Sequence, residues 1–377
     1  MCKIRSAARW KTLSVSIFDF CFVTSALVGR FAQDVIAWQK SHGRHGLPWQ
    51  NTRDPYHVWL SEVMLQQTQV STVLDYYPRF LRRFPTVADL ASAEPDDVMA
   101  LWSGLGYYSR ARNMHRCARD VMALHAGQFP RSAHMLQTLP GIGPSTAAAI
   151  AAFCFSERVA ILDGNVKRVL TRVLGFSADL ASGKNEKQLW VIANKLLPEK
   201  NLTQTMPTYT QGVMDLGATI CTGRKPQCLL CPVQHICQGF AQGTPEKYPV
   251  KTKKLKRSVE HLSLLWAQKP DGSVWLECRP ASGVWGGLYC LPVFENQASL
   301  LAFLPERTRL RTQLLPALKH VLTHKDMHLS PLIAGFSMNQ KMPSSKELVP
   351  GNWFLPDAWA ALGLPAPVRK LLEKGPG

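Results

Sequence analysis

The chain has 377 residues, 46% of them hydrophobic, and 44 Lys and Arg against 26 Asp and Glu leave a formal charge of +18. That length and apolar content suit a globular protein of two domains or slightly more, and the charge points to a polyanionic partner, nucleic acid first, because neutralising phosphates releases condensed counterions. Of the ten cysteines, four cluster and six are scattered, which excludes a disulfide-stapled secreted scaffold.

At the N-terminus Lys3, Arg5 and Arg9 precede an apolar stretch from Leu13 to Val28. Asp19 interrupts it, so residues 1–28 read as a disordered extension or a wrongly chosen start rather than a secretory signal. Further on, no segment is apolar enough to span a membrane. From Phe31 to about Gln238 the periodicity is helical throughout.

Asp54-Pro55 marks a helix start, an N-cap acceptor followed by proline at the first helical position. In the helix that follows, Glu62 has Val58, Trp59 and Leu65 as its i−4, i−3 and i+3 neighbours, a mostly apolar face. Burial there favours the protonated carboxyl, as a general acid requires, although a solvent-facing glutamate on an amphipathic helix fits the same spacing. Leu139-Pro140-Gly141-Ile142-Gly143-Pro144-Ser145 joins two helices. Its glycines can take positive φ, and the amides opening the second helix can face a phosphate, so Gly141, Gly143 and Ser145 are DNA-binding candidates. An ordinary glycine-rich turn is the competing reading.

Asp163 precedes a helix whose apolar face is Val166, Val169, Leu170, Val173 and Leu174, with Lys167, Arg168 and Arg172 elsewhere on its surface. The helix N-terminus is expected to favour the Asp163 anion, and Lys167 and Arg168 join the DNA-binding candidates. One carboxyl that keeps a proton and one that keeps its charge is an arrangement for glycosidic bond cleavage through an oxocarbenium-like state. Cys221, Cys228, Cys231 and Cys237 are separated by six, two and five residues, so four thiolates can converge in one loop. Iron-sulfur and zinc both remain open on spacing alone.

Residues 239–257 turn to Gly, Pro and a basic run that includes Lys251, Lys253, Lys254, Lys256 and Arg257, and read as a linker. Strands are expected at His261–Ala267 and Ser273–Cys278 around the Lys269-Pro270-Asp271-Gly272 turn, with another after Trp285-Gly286-Gly287. The chain is thus expected to be multidomain: all-α from 29 to 238, then a small α+β domain from 258 to 377.

The runs WLSEVMLQQTQV from Trp59, GLGYYSRARN from Gly104, LPGIGPSTAAAI from Leu139 and ILDGNVKRVL from Ile161, with the cysteine loop, closely resemble the MutY family of the endonuclease III, helix-hairpin-helix superfamily. The resemblance implies a four-iron four-sulfur cluster on the four cysteines and a sequence-independent DNA clamp at Leu139–Ser145. It also implies a monomeric, cytoplasmic enzyme, nucleoid-associated if bacterial, that removes adenine opposite 8-oxoguanine or guanine in double-stranded DNA. By the same resemblance Glu62 protonates the departing adenine and assists water attack, and Asp163 stabilises the sugar cation. Gln66, Gln67 and Tyr107 contact or wedge the stack beside the extruded base, since the reacting bond is poorly reached inside a duplex.

Where bifunctional relatives carry a Schiff-base lysine this chain has Ser145, which implies a monofunctional glycosylase. The C-terminal domain resembles a Nudix-like lesion-recognition module without the glutamate-rich magnesium helix. Its lesion-reading loop holds Thr323 and His324 in Leu322-Thr323-His324, where the family usually has Phe-Ser-His. A catalytically silent damage-binding protein and a pyrimidine-lesion glycosylase are the alternatives. The paired carboxyls disfavour the first and the fused lesion module the second.

Overall fold

The computed structural model describes residues 25–253, 256–343 and 349–375. Of the extension expected at 1–28, residues 1–24 lie outside the described residues, as does Lys254 of the basic run, while helix Ser25–His42 already covers the rest of the extension. The chain divides into two compact units, residues 1–44 with 158–252 and residues 45–157 with 253–377. The all-α region expected as one domain is therefore shared between them, because its 45–157 portion packs with the C-terminal sheet.

In the first unit, helices Ser25–His42, Gly164–Leu174, Gly183–Lys195 and Leu202–Asp215 bury Phe31, Val35, Val169, Leu189 and Tyr209. The Phe31 and Tyr209 rings meet edge-on at 6.1 Å. Asp215, fully buried, is held by Arg44, whose Nε donates to Oδ1 at 2.7 Å, and by Gln211 Nε2 at 2.8 Å. Leu202–Asp215 continues as a π-helical turn, Leu216–Ile220, into the cysteine loop. The segment read as a linker is partly built onto this unit. Gln238–Ala241 is a short helix, Val250 accepts from the Leu180 amide at 3.0 Å, and the Thr252 amide donates to Asp179.

The second unit opens with Pro55–Leu65, started as the sequence requires: the Asp54 carboxylate accepts from the Tyr56 amide at 2.7 Å, with proline at the first helical position. Helices Val70–Arg83, Pro95–Trp102, Ser109–His125 and Pro144–Phe155 surround a core that includes Trp59, Phe80, Phe84 and Trp102. Pro144–Phe155 buries Ala147 to Ala149, Ala151 and Ala152, and these short side chains let it lie close along Pro55–Leu65.

The same unit carries a mixed sheet of β1 (Ser258–Gln268), β2 (Val274–Cys278), β3 (Tyr289–Cys290), β4 (Val293–Phe294), β5 (Thr312–Leu314), β6 (Leu318–Val321), β7 (Lys325–Gly335) and β8 (Gly351–Phe354). Its main path runs β3-β2-β1-β7-β5, with β4 on β1, β6 on β7 and β8 on β2. β1 and β7 pair in parallel from Ser258↔Lys325 to Gln268↔Gly335, and the other pairs are antiparallel. A run of buried residues from Ser263 to Ala267 marks β1 as a central strand. Helix Gln297–Phe303 covers one face through Leu300, against Leu265, Phe294, Leu332 and Phe336. It contains no glutamate. Tyr289 donates to Asp96 Oδ2 at 2.9 Å, Ser103 Oγ to the Leu364 carbonyl at 2.8 Å, and Arg112 to the Gly286 carbonyl, so the sheet is fastened to the helices of its own unit.

Candidate active site

Glu62 is half-buried on Pro55–Leu65, with Val58 and Trp59 buried beside it. At the end of this helix the Gln66 side chain donates from Nε2 to Thr146 Oγ1 at 3.2 Å, and Gln67 takes a left-handed backbone, φ 57°. Gln66, Gln67, Tyr107 and Gly141, drawn from three separate sequence motifs, line one open cleft of about 650 Å³ together with Trp59 and Asn113. The sequence-predicted base-contacting residues of this unit therefore meet in space.

Arg110 holds that cleft together, a role that sequence reasoning missed. Buried, it donates to the carbonyls of Val63 (2.8 Å), Met64 (2.9 Å), Leu105 (3.2 Å) and Gly106 (3.1 Å), and to Thr68 Oγ1 at 3.1 Å. Its guanidinium also lies 5.6 Å from the centre of the Tyr107 ring and 5.1 Å from that of Trp102. Burial lowers its pKa to about 10, leaving it charged at neutral pH. One side chain thus caps the C-terminal carbonyls of the Glu62 helix and fixes the loop that presents Tyr107. The arginine-rich SRARN run is visible in the sequence, but its inward aim is not.

In the hairpin, Gly141 has φ 77°, and a Cβ there would lie 2.8 Å from Asn113 Cβ. Gly143 instead has φ −81° and ψ 172°, extended backbone, and caps Pro144–Phe155 in open space, so only the first of the two glycines takes the positive φ expected. Ser145 is half-buried on the first turn of that helix.

Asp163 belongs to the first unit and caps Gly164–Leu174, its Oδ1 accepting from the Val166 amide at 2.7 Å. Burial raises its carboxyl above the ordinary range, outweighing the Val166 and Asn165 amides and the Arg168 and Lys167 charges. The amides of the helix N-terminus favour the anion as expected, but desolvation is the larger, opposing effect here.

Two of the basic candidates are also revised. Lys167 Nζ pairs with Glu186 Oε1 at 2.6 Å, and Arg168 donates to the carbonyls of Cys221 (2.7 Å) and Gly217 (2.5 Å) and to Asn165 Oδ1 (2.8 Å). These partners lie within the protein, so both side chains fasten helix to loop rather than standing ready for phosphate.

The four clustered thiols line one cavity with Val169, Arg172 and Leu216. Arg172, almost wholly buried, reaches the Cys221 sulfur at 3.4 Å and donates to the carbonyls of Thr222 (2.6 Å) and Gly223 (3.0 Å), while its own carbonyl accepts from Cys237. Burial pushes the Cys231 thiol up to about 12 and raises Cys228 and Cys237, so deprotonated sulfurs here need a compensating positive group. Arg172 and a metal cluster fit that need, and the donor set suits iron-sulfur.

Thr323 and His324 are the central residues of the β6–β7 hairpin, closed by the Leu322 amide on the Lys325 carbonyl at 2.8 Å. The Thr323 hydroxyl shares a short hydrogen bond with Tyr107 OH. The structure thus joins a residue from the Gly104 motif to the expected lesion reader.

Three family models match successive parts of the chain. Residues 60–195 match the HhH-GPD superfamily of base excision DNA repair proteins, 221–237 the iron-sulfur binding domain of endonuclease III, and 263–374 a NUDIX domain. The adenine DNA glycosylase of Buchnera aphidicola subsp. Acyrthosiphon pisum is 36% identical over 349 residues, covering 91% of this chain and 97% of its own. The chain belongs to the adenine DNA glycosylase family. As an adenine DNA glycosylase it acts in base excision repair and carries a four-iron four-sulfur cluster, with the 221–237 match over its four cysteines. The human adenine DNA glycosylase is 39% identical over 292 residues, 75% of this chain and 49% of that protein. A thermostable thymine-DNA glycosylase structure aligns with a TM-score of 0.50 at 27% identity, covering 56% of this chain and 95% of the other. No described helix is long and apolar enough to cross a membrane.

Proposed function

We propose that this glycosylase flips adenine out of duplex DNA where it faces 8-oxoguanine or guanine, and hydrolyses its glycosidic bond without cutting the strand. The observation that carries this reading is the single cleft shared by Gln66, Gln67, Tyr107 and Gly141, with Tyr107 bonded to Thr323 of the β6–β7 hairpin. In this reading Tyr107 wedges into the stack and Gln66 and Gln67 contact the bases beside the extruded nucleotide. Thr323 and His324 read the opposite, oxidised base, and the threonine hydroxyl offers both a donor and an acceptor.

Glu62 gives its proton to the adenine as the bond from C1′ to the base nitrogen breaks, and the bond electrons leave with the base. Asp163, as its anion, stabilises the sugar cation. Burial raises its carboxyl above the ordinary range, while the Val166 and Asn165 amides and the Arg168 and Lys167 charges favour the anion. Glu62, now a carboxylate, takes a proton from the water that attacks C1′. Gly141, Gly143 and Ser145 grip the backbone through the hairpin, and Ser145 has no amine to form a Schiff base with the resulting sugar.

Cys221, Cys228, Cys231 and Cys237 would hold the cluster, whose iron would bind the thiolates and so tie the loop around Arg172. Residues 29–238 form the glycosylase part and 258–377 the lesion-recognition part, joined through 239–257. The enzyme works as a monomer in the cytoplasm, on nucleoid DNA if bacterial.

The test is single-turnover reaction with a labelled duplex carrying adenine opposite 8-oxoguanine, analysed with and without alkali. Strand breaks only after alkali are the expected result. Breaks without alkali would mean a lyase, and no breaks under either condition would leave a damage-binding protein.

A further inference from the structure

The C-terminal sheet carries a second cleft that none of the assignments above uses. It is an open groove of about 1060 Å³ between β6 and helix Ala366–Lys374, with Leu318 and Leu371 among its apolar lining. Lys319, His320, Lys370 and Lys374 also line it, and none of its lining residues is acidic. Lys370 and Lys374 are exposed and stand one helical turn apart, so both ammonium groups face the same opening. Lys319 is partnered by Asp326 at 3.4 Å, whereas no ion pair among the described residues holds Lys370 or Lys374. His320 is kept below its ordinary range by burial and by the Lys370 ammonium, so the free cations of the cleft are the two lysines.

The position of the cleft says what these cations are for. β6 runs directly into the Leu322–Lys325 hairpin, and Lys319 stands four residues before Thr323. At about 3.3 Å per residue the cleft begins roughly 13 Å along the strand from the lesion reader. That is about four nucleotides of duplex, at roughly 3.4 Å of axis per nucleotide of one strand. We propose that this cleft is a second DNA contact, taking the sugar-phosphate backbone of the strand that holds the oxidised base, about four nucleotides from it. Lys370 and Lys374 neutralise two phosphates, and the leucines cover the deoxyribose between them. An acidic peptide would suit the same charges, but continuity with the hairpin and the +18 charge of the chain favour the duplex. The assignment of the oxidised strand rests on the function proposed above.

The experiment compares wild-type holoenzyme with K370A/K374A on a duplex bearing a non-hydrolysable adenine analogue opposite 8-oxoguanine, with affinity measured across a range of salt concentrations. The variant is expected to have a log–log salt slope shallower by about 1.8, two phosphates at roughly 0.9 each. Its single-turnover excision at saturating enzyme should equal wild type. Shortening the duplex to about three nucleotides beyond the oxidised base on that side should abolish the difference between the two proteins. An unchanged slope overturns the proposal. So does an acidic peptide that binds wild type but not the variant while duplex affinity stays the same, which would make the cleft a protein-docking site. If wild type fails to excise adenine, the functional reading fails separately, and the slopes on undamaged duplex still decide whether the cleft holds DNA.

Discussion

Glu62 and Asp163 are both carboxyls on helices, but the structure gives them different work within the fold. Glu62 lies within its helix, whereas Asp163 caps one, so their conservative amides separate chemistry from folding. Glu62→Gln is expected to slow excision by roughly 10²- to 10⁴-fold while duplex binding stays at the wild-type level. Near-normal single-turnover excision would remove Glu62 from the acid role. Asp163→Asn keeps an N-cap acceptor, so thermal stability should hold within a few tenths of a kcal/mol while excision is largely lost. Glu277 offers a pH test independent of catalysis. It is 2% exposed on β2, and burial raises its carboxyl from 4.5 to about 7. Its protonated form is favoured in the fold, so this contribution is fully present below about 4.5 and is lost as pH rises through 7, a change on the order of 3 kcal/mol. Glu277→Gln should flatten the fall in thermal midpoint between pH 5 and pH 8 and stabilise the sheet at pH 8, followed by the fluorescence of Trp275 and Trp353. An unchanged pH profile would show that the carboxyl is not the source.

At the scale of elements, the hairpin separates backbone need from ligand need. Gly141→Ala meets both a left-handed φ and the Asn113 side chain, and should cost about 1–3 kcal/mol of stability as well as DNA affinity. Gly143→Ala has ordinary φ and open space, so stability should change by well under 1 kcal/mol while duplex binding weakens. Equal stability losses in chemical denaturation would contradict this. Arg110 ties the Glu62 helix to the Tyr107 loop, and Arg110→Met leaves several carbonyls without their donor, a loss of about 3 kcal/mol expected in the same denaturation series. The helix at Pro55, the hairpin and the turn at Lys269–Gly272 were all legible, because caps, prolines and glycines act over a few residues. The inward turn of Arg110 and Arg172 was not, because a guanidinium looks the same in sequence whether its acceptors are water or carbonyls from distant loops.

For the whole molecule, the division of the chain sets what cluster removal can reach. The cysteine loop belongs to the first unit, so Cys231→Ser should abolish the visible absorption of the cluster and lower hydrogen-exchange protection in 158–252 more than in 258–343. Equal loss in both would mean that the units unfold as one. The sequence by itself determined the fold class, the family, the cysteine cluster and the candidate carboxyls, since motif spacing and local capping need no knowledge of distant contacts. Only the tertiary structure decided that residues 45–157 pack with the C-terminal sheet, that Tyr107 meets Thr323, and that Lys167 and Arg168 turn to internal partners. It also put burial ahead of the helix N-terminus at Asp163. Each depends on which surfaces exclude water and which charges approach across the fold, and neither quantity is a property of neighbours along the chain.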